Sequence, residues 1–564
     1  MKEKIKSNLN IIIFTIVVFI ISLIMIFYMS QKEGFHEDEM FTYGSSNCTY
    51  DNLFQAHGKQ DTTNKIVYNY IWVEGDLGKT IENAIYYLTH QDEYDKLFAE
   101  ISSTEHPVWK TKEEAKDYLT VAENERFSYG NVYYNQARDI HPPLYCLLNH
   151  TVCSFFPDTF SKYFFFSISL VFFIATCFMI RNIMKLLGKD NLSILTVILF
   201  GLSMGGISTV IYARMYMLLA FFITYYLYLT LKIYKNDFKM DRKTKVEMVI
   251  ATVLGFLSQY YFCIFAVGCF VVMVICMIKN KKKKELISYI LNHVLSAIIG
   301  LVIYPIAIYH IFFSYRGVGG ATALQGSYLT NLWSFIQLLF KAYSVPIIIG
   351  VIALIGFIAW FIYKMIKNKN KGYLLLILVP ILLSVLVVTK ISPFKELRYL
   401  YGILPVLSIG IILGLSSFLN KVIKNKKIVI VILSVIVAIV SIYGLITKEP
   451  EHMYRGYSNH IEIANQYSHD PFVYIGQGWF NHIQSMPEFM IYDKSLILQD
   501  TQLEYLKDNE ELENTNEFIL CIKSYIGERE EKMNQVLEYT GYTNYEQLYE
   551  DYGETDCVIF KFTK

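Results

Sequence analysis

Two adjacent carboxylates, Asp38 and Glu39, lie within ten residues of the first long apolar run, and about a hundred residues later come Asp139, His141, Pro142 and Pro143. Acidic and imidazole groups gathered at a membrane mouth are the groups that move protons, a carboxylate drawing the proton from an attacking hydroxyl. Two further clusters bring cations. Tyr212, Ala213, Arg214, Met215 and Tyr216 fall between two apolar runs, and Lys395, Glu396, Leu397, Arg398 and Tyr399 fall between another two. A guanidinium grips phosphate through forked, charge-assisted hydrogen bonds, and at a membrane edge such a phosphate belongs to a lipid.

The elements that must position these groups are membrane helices. The 564 residues are 54% hydrophobic and 16% aromatic, with many apolar runs long enough to cross about 30 Å of hydrocarbon. Lys2, Lys4 and Lys6 precede a run from Ile11 to Tyr28 with no small-residue cleavage site after it, which reads as a retained anchor with a cytoplasmic N-terminus. Basic clusters at Arg181 to Lys189, Lys232 to Lys245, Lys279 to Lys284, Lys364 to Lys371 and Lys421 to Lys427 are placed on the same inner side. Val246 to Ile278 then has to be a hairpin turning outside near Ser258 to Tyr261. Other spans fall at Lys162 to Ile183, Ile194 to Thr209, Tyr212 to Ile233, Leu286 to Phe313, Val345 to Tyr363, Tyr373 to Thr389, Arg398 to Leu419 and Ile428 to Ile446. That makes about eleven crossings, an odd number, so the C-terminal segment lies outside. Pro142 to Pro157, too short to span, reads as an interfacial or re-entrant helix.

Residues 1–447 are therefore expected to form a membrane module that includes a long outer loop, 31–141, with helices around Lys79 to Glu100 and Lys112 to Asn124. Residues 448–564 are expected to form a small outer α/β domain, with strand-like runs Phe472 to Ile475, Ser495 to Gln499, Glu517 to Lys523 and Cys557 to Phe562 around an amphipathic Tyr525 to Tyr539. Nothing among the nine cysteines has zinc-ligand spacing, and Cys521 could bond Cys557 only if their strands are neighbours. Basic and acidic residues nearly balance, 51 against 50, so charge gives no reason to expect nucleic acid.

A chemistry follows from the outer mouth. Nucleotide-activated sugars are not ordinarily supplied outside the cytoplasm, so a transferase there needs a donor that has crossed already activated, such as a sugar on a polyprenyl phosphate. Its departing lipid phosphate gathers negative charge that Arg can stabilise, while a carboxylate deprotonates the acceptor. Singly, each group is ordinary: carboxylates flank many helices, and a proline pair often just starts one. The conjunction carries the inference.

The acidic pair after the first helix, then Asp139, Ile140, His141, Pro142, Pro143, Leu144 and Tyr145, then Ala213 to Tyr216, then Arg398, Tyr399 and Leu400, resemble in this order the GT-C glycosyltransferases. The similar branch is the protein O-mannosyltransferase and aminoarabinose transferase group with its bacterial relatives, over roughly residues 8 to 446. The resemblance implies a GT-C-like bundle of about 11 to 13 helices that inverts the anomeric carbon by direct displacement. Asp38, or else Glu39, would be the base, and Asp139 and His141 would shape the pocket. Arg214, Tyr216, Lys395, Arg398 and Tyr399 would hold the lipid phosphate. No soluble cofactor is required, although the carboxylates can accept a divalent cation. The partners implied are a polyprenyl-phosphate-linked sugar, membrane lipid, and a glycan, lipid or protein acceptor at the outer face of a bacterial plasma membrane. A flippase of lipid-linked saccharides, or a ligase moving a whole glycan, is the competing reading.

Overall fold

The computed structural model describes residues 2–49, 54, 66–71, 73, 76–103, 107–312, 327–367, 372–477 and 480–564. The chain divides into two compact units. The first comprises residues 1–29, 140–145 and 165–451, and the second comprises 30–139, 146–164 and 452–564.

The first unit is helical, and the chain is a membrane protein. Among the described residues nine helices are long and apolar enough to cross a bilayer, and a bent pair, Asp190–Gly201 with Met204–Ile211, makes ten. The bend of 67° corrects the straight crossing expected from Ile194 to Thr209. Ser203 causes it locally: its hydroxyl donates to the Phe200 carbonyl at 2.7 Å and accepts the Gly206 amide at 3.0 Å, capping a new helix. The hairpin required by the basic loops is present as Arg242–Ser258 and Tyr261–Lys279. The expected span Leu286 to Phe313 ends early, as Lys283–Ile303, because Pro305 disfavours helical geometry at Tyr304. Helix Tyr261–Lys279 packs closely on Gly372–Ile391, where Gly268 faces the Pro380 backbone so tightly that a Cβ would sit 2.8 Å from it.

The second unit is built on a six-stranded sheet of order β1-β3-β2-β4-β6-β5. The strands are β1 (Trp109–Thr111), β2 (Phe472–Gly476), β3 (Lys494–Gln499), β4 (Glu517–Lys523), β5 (Asn544–Glu550) and β6 (Cys557–Thr563). β2 runs parallel to both β3 and β4, and the remaining pairs are antiparallel. Alternation splits the faces. Val473, Ile475, Leu496, Leu498, Leu520, Ile522, Val558 and Phe560 form a fully apolar core with Met533 and Val536 of helix Arg529–Thr540. The opposite face carries Tyr474, Cys521, Lys523 and Cys557, all buried, together with a buried His460–Glu488 pair at 2.9 Å. β4 and β6 are indeed neighbours, in register Cys521↔Ile559 and Lys523↔Cys557, and both thiols are free.

β1 changes the expected division of the chain. It comes from the outer loop and pairs antiparallel with β3, Trp109 opposite Leu496, because an edge strand with open backbone groups is satisfied by a further strand. The loop therefore folds with residues 452–564, rather than with the membrane module as the linear division at 447 and 448 had it. Within the loop the expected Lys79 to Glu100 helix is two, Leu77–Thr89 and Gln91–Ser103. The expected Lys112 to Asn124 helix stops at Leu119. Helix Leu144–Ser154, at 11 residues about 16 Å long, cannot span.

Candidate active site

The acidic pair opens a short helix, Glu37–Asn47, in the second unit. His36 is its N-cap: the ring Nδ1 accepts the Asp38 amide at 3.0 Å, and Glu39 reaches back to accept the His36 amide at 2.8 Å, completing a capping box. Three acids in the first turn, Glu37, Asp38 and Glu39, suit the positive end of the helix dipole. Consecutive helical residues point about 100° apart, and this separates the pair. Glu39 turns inward to an ion pair with Lys32 at 2.9 Å, both side chains 0% exposed. Asp38 keeps 26% of its side chain exposed, with Oδ2 3.7 Å from His36 Nδ1.

Glu39 is thus enclosed in an ion pair, whereas Asp38 keeps part of its side chain open to solvent. Burial pushes the Lys32 ammonium below the ordinary lysine range, opposed by the charge and hydrogen bond of Glu39. Removing one partner of such a pair costs about 3–5 kcal/mol, because the other is left charged and enclosed. Lys32 and His36 are the residues that sequence reasoning missed. A lysine just beyond an apolar run at its expected outer end runs against the positive-inside rule, and that was the available sign.

Asp139 also belongs to the second unit, as the C-cap of helix Tyr129–Arg138, its amide bonded to the Asn135 carbonyl at 3.0 Å. The next residues pass into the first unit. There His141 Nε2 lies 3.3 Å from Arg214 Nη2, and the His141 carbonyl accepts the Tyr304 hydroxyl at 3.2 Å. Arg214 sits in the non-helical turn between Met204–Ile211 and Tyr216–Lys235, its amide donating to the Tyr212 carbonyl at 2.7 Å. Arg398 stands in the 3-10 segment Leu397–Ile403 and donates to the Tyr212 hydroxyl at 2.7 Å. Its Nε also faces Glu396 at 2.5 Å, and its guanidinium lies 5.4 Å from the Tyr399 ring. Both arginines are 5% exposed.

Tyr212 therefore bonds both arginines, its hydroxyl accepting from the Arg398 guanidinium and its carbonyl from the Arg214 backbone amide. Its ring stacks on Tyr216 at 5.8 Å, and Tyr216 meets Tyr401 edge-on at 5.8 Å. Tyr401 donates to Glu451 at 2.9 Å, and Glu451 also pairs with Lys341 at 3.0 Å. The structure brings His141, Arg214, Arg398 and Tyr216 into one set of contacts. Lys395 is exposed beside it and Tyr399 half-buried. Among the described residues no group of three or more His, Cys, Asp or Glu side chains is arranged to hold a metal ion.

No family model matches the chain, and no curated protein matches it. Among solved structures, the chain is similar to ArnT from Cupriavidus metallidurans bound to undecaprenyl phosphate. The identity is 11% and the TM-score 0.46, over 74% of this chain and 87% of that one. The apo state of the same protein gives 12% and 0.42. The Archaeoglobus fulgidus oligosaccharyltransferase in complex with Zn and sulfate gives 12% and 0.43, over 73% of this chain and 63% of that one. Likenesses at this level leave the activity to be argued from the chain's own residues.

Proposed function

We propose that the protein is a GT-C-like membrane glycosyltransferase that moves a sugar from a polyprenyl phosphate to an acceptor outside the cytoplasm. The observation that supports this most is the pair of buried arginines that both bond Tyr212, Arg398 by its guanidinium and Arg214 by its backbone amide. Guanidiniums are retained in a membrane-embedded unit where anions offset their desolvation; Arg398 already faces Glu396, and a departing lipid phosphate is a further anion, one whose charge grows during the reaction. The reading assigns leaving-group stabilisation to Arg214 and Arg398 and acceptor deprotonation to Asp38. His141, against Arg214, would orient that guanidinium. The sugar would invert in one displacement, the acceptor oxygen replacing the phosphate oxygen at the anomeric carbon while its proton passes to Asp38.

The test is Asp38→Asn in membranes supplied with undecaprenyl phosphate carrying a radiolabelled hexose. Loss of about 10²–10⁴-fold in turnover is expected for a missing general base; undiminished transfer removes Asp38 from the role. One observation favours the competing transport reading: His293, inside the span Lys283–Ile303, is bonded to Tyr226 at 2.9 Å, and ionisable groups within spans mark transport pathways. Movement of intact donor across vesicles by the purified protein, with no product formed, would establish that reading instead.

A further inference from the structure

We infer that Lys32 is a positioning residue for Asp38, and that through it the C-terminal segment sets the aim of the base. The inference rests on the reading of Asp38 given above. Lys32 Nζ donates to Glu39 Oε2 at 2.9 Å and to the His452 carbonyl at 2.5 Å. The Phe35 and Tyr454 rings stand 5.6 and 5.4 Å from the ammonium. The same Glu39 oxygen accepts the His36 amide, and the His36 ring accepts the Asp38 amide. A continuous line of polar contacts thus runs from residue 452 through Lys32, Glu39 and His36 to the backbone of Asp38, inside one compact unit.

Stability alone does not require a charge here, since a buried ion pair can often be replaced by apolar groups of similar volume at no loss. What the ammonium adds is direction. It bonds two acceptors at once, one on the site helix and one on the C-terminal segment, and so fixes the first turn of Glu37–Asn47 against a second part of the chain. An apolar filler would hold the volume and release the angle. Misplacement of a reacting group by about 1 Å can cost about a hundredfold in rate.

The experiment uses the full chain in nanodiscs. Lys32→Met leaves Glu39 enclosed and is the variant at risk of misfolding, so Lys32→Met combined with Glu39→Leu is the decisive one. Hydrogen exchange is read at the amides of Asp38, Glu39 and Met40, all held by His36. The double variant is expected to keep its thermal midpoint, to exchange at least about tenfold faster at these amides, and to leave helices Tyr457–Gln466 and Arg529–Thr540 unchanged. Turnover of the labelled undecaprenyl-phosphate hexose is expected to fall in kcat with KM unchanged. Glu39→Gln keeps an acceptor for both donors and should restore most of the protection. Unchanged exchange at the three amides, or acceleration spread evenly over the unit, overturns the positioning role. Full turnover by Asp38→Asn overturns the base instead, and the exchange result still decides whether Lys32 holds the helix.

Discussion

Gly44 offers a test of how tightly the site helix is held. It lies in Glu37–Asn47, and a Cβ added there would sit 2.1 Å from two ring carbons of Tyr118 and 2.4 Å from its hydroxyl oxygen. Ordinary contact begins at 3.4 Å, so the ring must retreat by about 1.3 Å. Tyr118 has little room to do so, being 3% exposed and packed on Phe54 at 5.5 Å. Overpacking of this kind costs about 1–3 kcal/mol, and an overlap this deep belongs at the upper end. Alanine's better helix propensity returns up to about 1 kcal/mol. Gly44→Ala should therefore lose about 2 kcal/mol, or roughly 4–8 °C in the thermal midpoint of a unit of this size. The assay is a double-mutant cycle by thermal unfolding of the full chain. Tyr118→Leu removes the obstructing ring, so the glycine substitution should cost less in that background, with a coupling above about 0.5 kcal/mol. Additive losses, or a Gly44→Ala protein as stable as the parent, would refute the packing argument.

Two further outcomes follow from the second unit. Burial works against the His460 imidazolium, but the Glu488 carboxylate outweighs it and holds His460 above its ordinary value. A raised folded value stabilises fully below about pH 6.5 and ceases to do so as pH rises through that folded value. The stability gap between the wild type and Glu488→Gln should shrink as pH rises from below about 6.5 through the raised folded value, and a constant gap would contradict it. Cys557, lowered to about 7 chiefly by its hydrogen bond with Cys521, acts in the opposite sense and also feels the Glu488 charge, so the comparison is repeated in a Cys557→Ser background. Separately, residues 448–564 produced alone lack β1 and leave an edge of β3 open. The fragment is expected to self-associate on size exclusion, whereas a folded monomer with dispersed amide resonances would show that the loop is dispensable.

Much of the architecture was legible because periodicity and charge are local. The strand runs at 472, 495, 517 and 557 each alternate or cluster β-formers and appear as β2, β3, β4 and β6. Basic loops enforced the break at Gln259 and Tyr260. What stayed hidden depends on distant partners. β1 is only three residues, Trp109 to Thr111, too short to stand out in the sequence and made a strand by β3. β5, rich in Asn, Glu and Gln, is an edge strand whose pairing with β6 overrides composition. In the site, the arginine clusters could be found as cations in membrane turns, whereas the fate of Glu39 could not. Whether a carboxylate faces solvent or a lysine seven positions earlier is decided by helix phase and by what closes over it.

The pairing of Trp109 with Leu496 sets an order on biosynthesis. Roughly four hundred residues are made between the two strands, which at about 5–20 residues per second is tens of seconds. Until residue 452 is made, Lys32 has no His452 carbonyl to bond, and until β3 follows, the loop has no strand to join. The acidic helix is then among the first segments translated and among the last to be secured. A chain cut short before residue 452 would carry the whole arginine cluster yet lack the carbonyl that secures Lys32 beneath the acidic helix.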